Sequence, residues 1–184
     1  MPFVVVYDAN ALYGNAQRDL LIRIAQSGLV QAKWTDQILD EMLSNLGKKR
    51  PDIPAGRLGI LRERMNGAVR DCLVTGYEPL IESLQLLDPR RPARAGRGYQ
   101  EQCPGHCHDQ PEALSEAELR PWNVEAKSPD DFVLDQINID ARIVYSCVRE
   151  IANSRRNPPD TVDDVLAELE RAGLVQSVAA LRLG

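Results

Sequence analysis

The chain lacks the long apolar run that a membrane protein needs. No stretch approaches the roughly 20 apolar residues of a membrane-spanning helix. The N-terminus has neither the basic start nor the small-residue cleavage site of a signal peptide. We therefore expect a cytoplasmic protein with no membrane partner. Of its 184 residues 43% are hydrophobic, enough for one sizeable core with a small appendage.

Cysteines are few, and basic residues are outnumbered by acidic ones. The four cysteines are scattered through a chain without an export signal, so we expect thiols rather than disulfides. The formal net charge of -5 argues against broad, non-specific binding to nucleic acid and leaves room for a local RNA contact.

The chain begins with a β-branched apolar run, Phe3-Val4-Val5-Val6-Tyr7, that ends in Asp8. A central parallel strand has this composition, and its carboxyl end is where α/β proteins build their sites. Two interpretations of Asp8 stay open at this point. It either caps the next turn or belongs to a site with other acids.

The next segments alternate between helical and strand patterns, which indicates an α/β layer fold. Thr35, Ser128 and Thr161 are expected N-caps, and Gly47 is expected to end the second helix. On that helix Asp40 and Glu41 lie on opposite flanks of the apolar stripe, and periodicity does not say which one faces a site. Cys147 is expected in the core. We predict helices at 17–25, 35–46, 57–71, 128–136, 143–151, 161–172 and 174–181, strands at 29–33 and 72–76, and an edge segment at 121–126.

The alternation of helices and strands stops from Pro89 to Glu112. This stretch is rich in Arg, Pro and Gly and has neither helical nor strand periodicity. A structureless loop of more than about 15 residues is unusual inside a compact domain. A basic arm is one explanation. Another is a small zinc-binding module around Cys103 and His106, although two adjacent ligands without a distant second pair are poorly spaced for zinc.

A third explanation is that this stretch is a frame-shifted reading of an ordinary one. With CGN codons for arginine, the last two bases of each codon and the first base of the next permit D-D-R-H-V-L-A-A-A-I-K-S-N-A-Q-V-I-V-T-T-N-L-K-H-F-P, with no forced stop. That string is an acid-headed helix followed by a buried strand, the piece that the α/β pattern lacks. We therefore interpret residues 90–114 as displaced in frame.

Three stretches carry a resemblance to a known family: VVYDANALY, WTDQILDEMLSNL and the tail from SPDDFVLDQINIDARIVYSCVREIANS onward. Together they resemble a PIN-domain ribonuclease toxin of the VapC type, from a type II toxin–antitoxin system. The resemblance implies a PIN-like α/β sandwich with a central parallel sheet flanked by helices at 1–125, with 90–114 atypical. It also implies a small C-terminal helical extension at 126–184.

The resemblance further implies a Mg²⁺ (or Mn²⁺) site that hydrolyses RNA, a cognate antitoxin as partner, and a homodimer. The matching acids are Asp8 and Glu41, as catalytic residues and metal ligands, with Asn10 beside them as a polar supporting residue. The third acid and a further polar residue exist only in the shifted segments D-D-R-H and T-T-N. As written, Arg91 stands near the third position, and Asp88 is the nearest remaining carboxylate in sequence.

Mg²⁺ requires several hard oxygen ligands, so two acids make a weakened site. Three functions follow. The first is a Mg²⁺-dependent endoribonuclease toxin, impaired by the missing acid. The second is an inactive relative that only binds antitoxin or RNA, and the third is the zinc module at Cys103 and His106.

Overall fold

The computed structural model describes residues 3–77, 124–156 and 158–183. This part of the chain is broadly α/β, as expected, and contains a small parallel sheet and six helices. The PIN-like sandwich stays a prediction. In chain order the elements are β1 (Phe3–Val6), α1 (Asn15–Gln26), β2 (Val30–Lys33), α2 (Asp36–Lys49), α3 (Ala55–Ala68), α4 (Pro129–Ser154), α5 (Val162–Arg171) and α6 (Val175–Leu183).

The sheet of the described residues consists of β1 and β2, which pair in parallel with Phe3 opposite Val30 and Val6 opposite Lys33. The prediction of a third strand at 72–76 was wrong in extent. Only an isolated parallel bridge forms, between Trp34 and Leu73. Asp71, just before it, has a positive φ of 52°. The chain therefore touches the end of β2 for one bridge and does not continue as a strand.

Capping residues fix the start of α2, while its end differs from the prediction. The Thr35 hydroxyl accepts a hydrogen bond from the Ile38 amide at 3.2 Å, as expected of an N-cap. Gly47 does not end the helix, which continues to Lys49. A Cβ at Gly47 would lie 3.3 Å from a methyl group of Leu58. The glycine therefore allows close packing of α2 on α3.

The C-terminal helices follow the expected caps closely. Ser128 caps α4, and Thr161 forms a capping box with Asp164 at the start of α5. Residues 128–136 and 143–151, expected as separate helices, are joined in α4 across a kink at Asp140. The Asp140 carboxylate accepts hydrogen bonds from the amides of Arg142 at 3.0 Å and Ile143 at 3.2 Å. It thereby caps the second half of α4.

Residues Met1–Thr75 and Ser128–Gly184 form one compact unit, and Gly76–Lys127 form a second. In the first unit α1 packs against β2, α3, α4 and α5, while α6 packs against α4 and α5. Its core includes Leu20, Ile24, Trp34, Ile151 and Leu169, all fully buried. Cys147 is buried there as expected, and burial raises the pKa of its thiol.

The second unit is described only at 76–77 and 124–127, where Glu125 pairs with Lys127 at 3.5 Å. Residues 124–126 are not a strand, and 121–123 lie outside the described residues. The proposed boundary at 125 stays a prediction. Within the described ranges, no helix has both the length and the apolar content that crossing a membrane requires.

Asp130 joins the two ends of the C-terminal helical segment. Its carboxylate accepts hydrogen bonds from the backbone amides of Gln176 and Ser177, each at 2.9 Å, and from the Ser177 hydroxyl at 2.7 Å. Burial alone would raise the pKa of Asp130, but the hydrogen bonds from Ser177 and Gln176 outweigh it and lower the pKa. The first turn of α6 is therefore held by an ionised carboxylate on α4.

Replacing Asp130 by Asn should destabilise the protein by about 1–2 kcal/mol at neutral pH, because a charged acceptor for three donors is lost. A lowered folded-state pKa adds stability above the unfolded value of about 3.9. The difference between D130N and the parent should therefore shrink as the pH falls below that value. Urea unfolding at several pH values measures it.

The matched control is Asp163→Asn. Asp163 also lies in the first turn of a helix, is exposed, and makes no hydrogen bond or ion pair with any described residue. The Asp163→Asn substitution should lower the free energy of unfolding by no more than about 0.5 kcal/mol. An equal loss in both variants would show that helix-terminal charge, and not the link to α6, accounts for the effect.

Candidate functional site

Burial of Tyr7 places Asp8 at the carboxyl end of the sheet. The Tyr7 amide donates to the Lys33 carbonyl at 3.0 Å and extends the ladder by one residue beyond β1. The Tyr7 ring is 3% exposed, stacks on Trp34 at 6.5 Å, and meets Phe132 edge-on at 5.8 Å. Its hydroxyl donates to the Leu21 carbonyl at 3.3 Å. The next residue, Asp8, is exposed at the strand end.

Asp8 caps the turn that follows β1. One carboxylate oxygen, Oδ1, accepts a hydrogen bond from the Ala11 amide at 2.7 Å. The Asp8 carbonyl accepts from the Leu12 amide, and the Asn10 carbonyl from the Tyr13 amide, both at 3.2 Å. The capping interpretation of Asp8 is confirmed. It does not exclude the other interpretation, because among the described residues no group bonds to the second oxygen of this exposed carboxylate.

Two buried polar residues of α1 hold the same turn, and neither was predicted from the sequence to do so. Gln17 donates to the Ala11 carbonyl at 2.8 Å. Arg18, only 7% exposed, donates to the carbonyls of Leu12 at 3.0 Å and Tyr13 at 3.2 Å. Burial lowers the pKa of Arg18. The charge of the neighbouring Asp19 acts in the opposite direction, but burial is the larger effect. The sequence contained a signal for the burial of these two residues. Gln17 and Arg18 lie within one helical turn of Leu20 and Leu21, on the apolar side of the helix.

We predict that Arg18→Met loosens this turn, because it leaves buried carbonyl oxygens without a donor. The protein should lose about 1–3 kcal/mol of unfolding free energy. The amides of Leu12 and Tyr13 should exchange faster than the global loss explains. Hydrogen exchange resolved by residue, together with urea unfolding, measures both effects.

Arg23→Met provides the control on the same helix. Arg23 is half-buried and pairs with Asp19 at 2.9 Å and Glu150 at 3.0 Å, away from the turn. Its loss should cost no more than about 1 kcal/mol and leave the turn amides unchanged. Equal exchange rates in the two variants would contradict a specific role for Arg18.

Asp40 and Glu41 of helix α2 have different surroundings. Arg62 of α3 pairs with Asp36 at 2.9 Å and also with Asp40. Asp40 therefore faces α3. Glu41 is exposed and has no hydrogen bond or ion pair within the described ranges. Helical periodicity alone did not show whether Asp40 or Glu41 faces a site. Because Asp40 pairs with Arg62, Glu41 is the remaining candidate.

The end of α2 shows which flank faces the turn after β1. The Lys49 ammonium lies 5.1 Å from the centroid of the Tyr13 ring. At about 100° per residue, Lys49 lies on the opposite side of the helix from Asp40 and about 80° around from Glu41. Glu41 is therefore nearer than Asp40 to the flank that meets the Asp8 turn.

The described residues do not complete a metal site. Among residues 3–77, 124–156 and 158–183, no three His, Cys, Asp or Glu side chains are grouped closely enough to hold a metal ion. Asp8 and Glu41 offer carboxylate oxygens, the donor type that Mg²⁺ prefers, but only part of its shell. Asp88, Arg91, Cys103 and His106 lie outside the described residues. The predictions made for them stay predictions.

A cleft of about 340 Å³ lies elsewhere, between α1 and α4. Its lining has mixed charge, with Arg23, Arg142, Asp140 and Glu150 around the buried Cys147. Neither Asp8 nor Glu41 lines it. The cleft adds nothing to the acidic site.

The comparisons with known proteins bear on the C-terminal helices. Residues 129–183, which coincide with α4, α5 and α6, match the family model described as the VapC50 C-terminal domain. The match shows that the C-terminal helices resemble the C-terminal domain of a VapC-type family, and it does not extend to residues 1–128. The searches of curated proteins and of solved structures each found no match.

Proposed function

We propose that this protein is the toxin of a toxin–antitoxin pair and a Mg²⁺-dependent endoribonuclease with a weakened site. The observation that carries the proposal is the match of residues 129–183 to the VapC50 C-terminal domain. The turn after β1 adds support, because an exposed carboxylate stands at the carboxyl end of a parallel strand.

In this proposal Asp8 and Glu41 hold the divalent cation, Mg²⁺ or Mn²⁺, through carboxylate oxygens. Bound Mg²⁺ would activate a water molecule and neutralise charge on the phosphate. The Ala11 amide orients the Asp8 carboxylate, and Arg18 and Gln17 hold the turn that carries it. Asn10, exposed in the same turn, offers an amide to the substrate or to a ligand water.

Two carboxylates explain why we expect low activity. A divalent cation held by two acids keeps more of its water and binds weakly. Arg91 near the third acid position would add a positive charge where a ligand is needed. The same acidic pocket is the surface that the antitoxin would block with a segment of its chain. We place this pair in the cytoplasm and expect the toxin to form a homodimer.

We predict that Asp8→Asn strongly reduces metal-dependent RNA cleavage without unfolding the protein. Asn keeps an oxygen that accepts the Ala11 hydrogen bond, so stability should change by less than about 0.5 kcal/mol. It removes the charge that a cation requires. Cleavage of a fluorescent RNA in Mg²⁺ or Mn²⁺ should fall at least about tenfold, as should that of Glu41→Gln.

Asp40→Asn is the control on α2. It removes a neighbouring carboxylate of the same helix, and Arg62 keeps Asp36 as its partner. Its cleavage rate should equal that of the parent. Cleavage that survives a chelator, or that D8N retains, would overturn the nuclease proposal.

The runner-up is a catalytically inactive relative that binds antitoxin or RNA. The arginine that the sequence places near the third acid position, Arg91, favours it. Parent protein that binds an antitoxin or RNA but shows no metal-dependent cleavage would establish it.

A further inference from the structure

The exposed side of α4 carries basic and aromatic side chains in the half that follows the kink at Asp140. Arg142, Tyr145 and Arg149 are exposed there, Tyr145 by 42%. At about 100° per residue, spacings of three and four residues place all three side chains on one side of the helix. The two arginines lie about 10 Å apart along the helix axis, with the tyrosine between them. We call this surface the arginine–tyrosine face.

The positive charge of the arginine–tyrosine face is not neutralised by the described residues. Neither Arg142 nor Arg149 has an ion pair or a side-chain hydrogen bond with any of them. The acids beside the face are engaged elsewhere, because Asp140 caps the second half of α4 and Glu150 pairs with Arg23 at 3.0 Å. On a chain with a net charge of -5, this face is a local surface that attracts a polyanion.

A recess adjoins the arginine–tyrosine face. The cleft of about 340 Å³ between α1 and α4 is lined by Arg142 itself and, one turn further along α4, by Ser146. Gln26 and Ser27 at the end of α1 also line it and add amide and hydroxyl groups. A volume of this order takes a small ligand or one part of a larger ligand. The arginines therefore stand beside a concave surface with hydrogen-bonding groups.

The order of charge, ring and charge indicates the chemistry of the partner. Guanidinium groups bind phosphate oxygens, often through two parallel hydrogen bonds. An exposed tyrosine ring is a platform on which an unpaired base stacks, and proteins that bind single-stranded nucleic acid combine both features. An acidic peptide would use the arginines and leave the ring without a base. The face therefore fits a single-stranded nucleic acid better than an acidic protein segment.

The arginine–tyrosine face is separate from the candidate acidic site. Arg18, in the first turn of α1, holds the turn that carries Asp8, whereas Ser27 at the end of α1 lines the cleft. Arg18 and Ser27 are about 13 Å apart along the helix axis. Nucleic acid on this face would be held apart from a cation at Asp8, so its binding requires no metal.

We propose that the arginine–tyrosine face of α4 binds single-stranded RNA, with phosphates at Arg142 and Arg149 and a base on the Tyr145 ring. The choice of RNA rather than single-stranded DNA rests on the proposed nuclease function. The contact itself involves neither Asp8 nor a divalent cation, so it can be measured without cleavage.

The test measures binding of the full chain to a short fluorescein-labelled single-stranded RNA of mixed sequence, in EDTA, by fluorescence anisotropy. Arg142→Gln and Arg149→Gln should each weaken binding at least about threefold at low salt. Each should also reduce the slope of log affinity against log salt concentration by about 0.7, because one phosphate contact is lost. Far-UV circular dichroism checks that these exposed substitutions leave the fold unchanged.

Arg171→Gln is the matched control. Arg171 is an exposed arginine in the last turn of α5, shortly before Gln176, whose amide bonds to Asp130 at the start of α4. The substitution therefore removes the same charge from the C-terminal helices at a place away from the arginine–tyrosine face. The affinity and the salt slope of this variant should equal those of the parent.

Tyr145 is tested by its ring and by the base. Tyr145→Leu should weaken RNA binding at least about fivefold, whereas Tyr145→Phe, which keeps the ring, should bind as the parent does. RNA of the same length with abasic sites should bind the parent more weakly than unmodified RNA does. That difference should shrink in Tyr145→Leu, because ring and base act as a pair.

Three results would overturn the proposal. The parent would fail to bind RNA in EDTA, or Arg171→Gln would weaken binding as much as Arg142→Gln does. Alternatively, polyglutamate of equal charge would compete as well as unlabelled RNA, which would make an acidic protein segment the occupant. The nuclease proposal fails separately, since RNA that binds in EDTA and is not cleaved in Mg²⁺ would support this face and contradict the nuclease.

Discussion

The burial of Tyr7 is the constraint on which the rest of this structure depends. Its ring joins β1 to β2 through Trp34 and to α4 through Phe132, and its hydroxyl reaches the Leu21 carbonyl of α1. Because successive strand residues alternate, fixing Tyr7 inward turns Asp8 outward at the strand end. The position of the candidate acid therefore follows from a packing requirement one residue earlier.

In the proposed function, that arrangement provides half of an acidic metal site. The turn after β1 is held by a carboxylate cap and two buried polar side chains, and Glu41 lies free of the ion pair that engages Asp40. A turn this constrained is suited to hold a ligand rather than only to connect two elements.

Much of the fold could be predicted from the sequence because short-range chemistry determines it. Thr35, Ser128 and Thr161 cap helices as expected, since hydroxyl oxygens satisfy free amides locally. Gly47 was predicted wrongly because tertiary packing on Leu58 outweighed its weak helix propensity. The ion pair between Asp40 and Arg62 could not be predicted from the sequence, because Arg62 lies on another helix. Arg18 was overlooked because an arginine is ordinarily assigned to solvent.

The coding DNA across Asp88 to Glu116 tests most directly the proposal that the third acid of the site is missing because residues 90–114 are displaced in frame. We predict that Arg90, Arg91, Arg94 and Arg97 use CGN codons, with CGA at Arg90 and Arg91, so that the overlapping frame begins with two aspartates. The same frame should go on to encode V-I-V-T-T-N. Arginine codons whose overlap encodes no acid, or overlapping codons across Gly105 to Pro111 that do not encode V-I-V-T-T-N, would contradict the proposal.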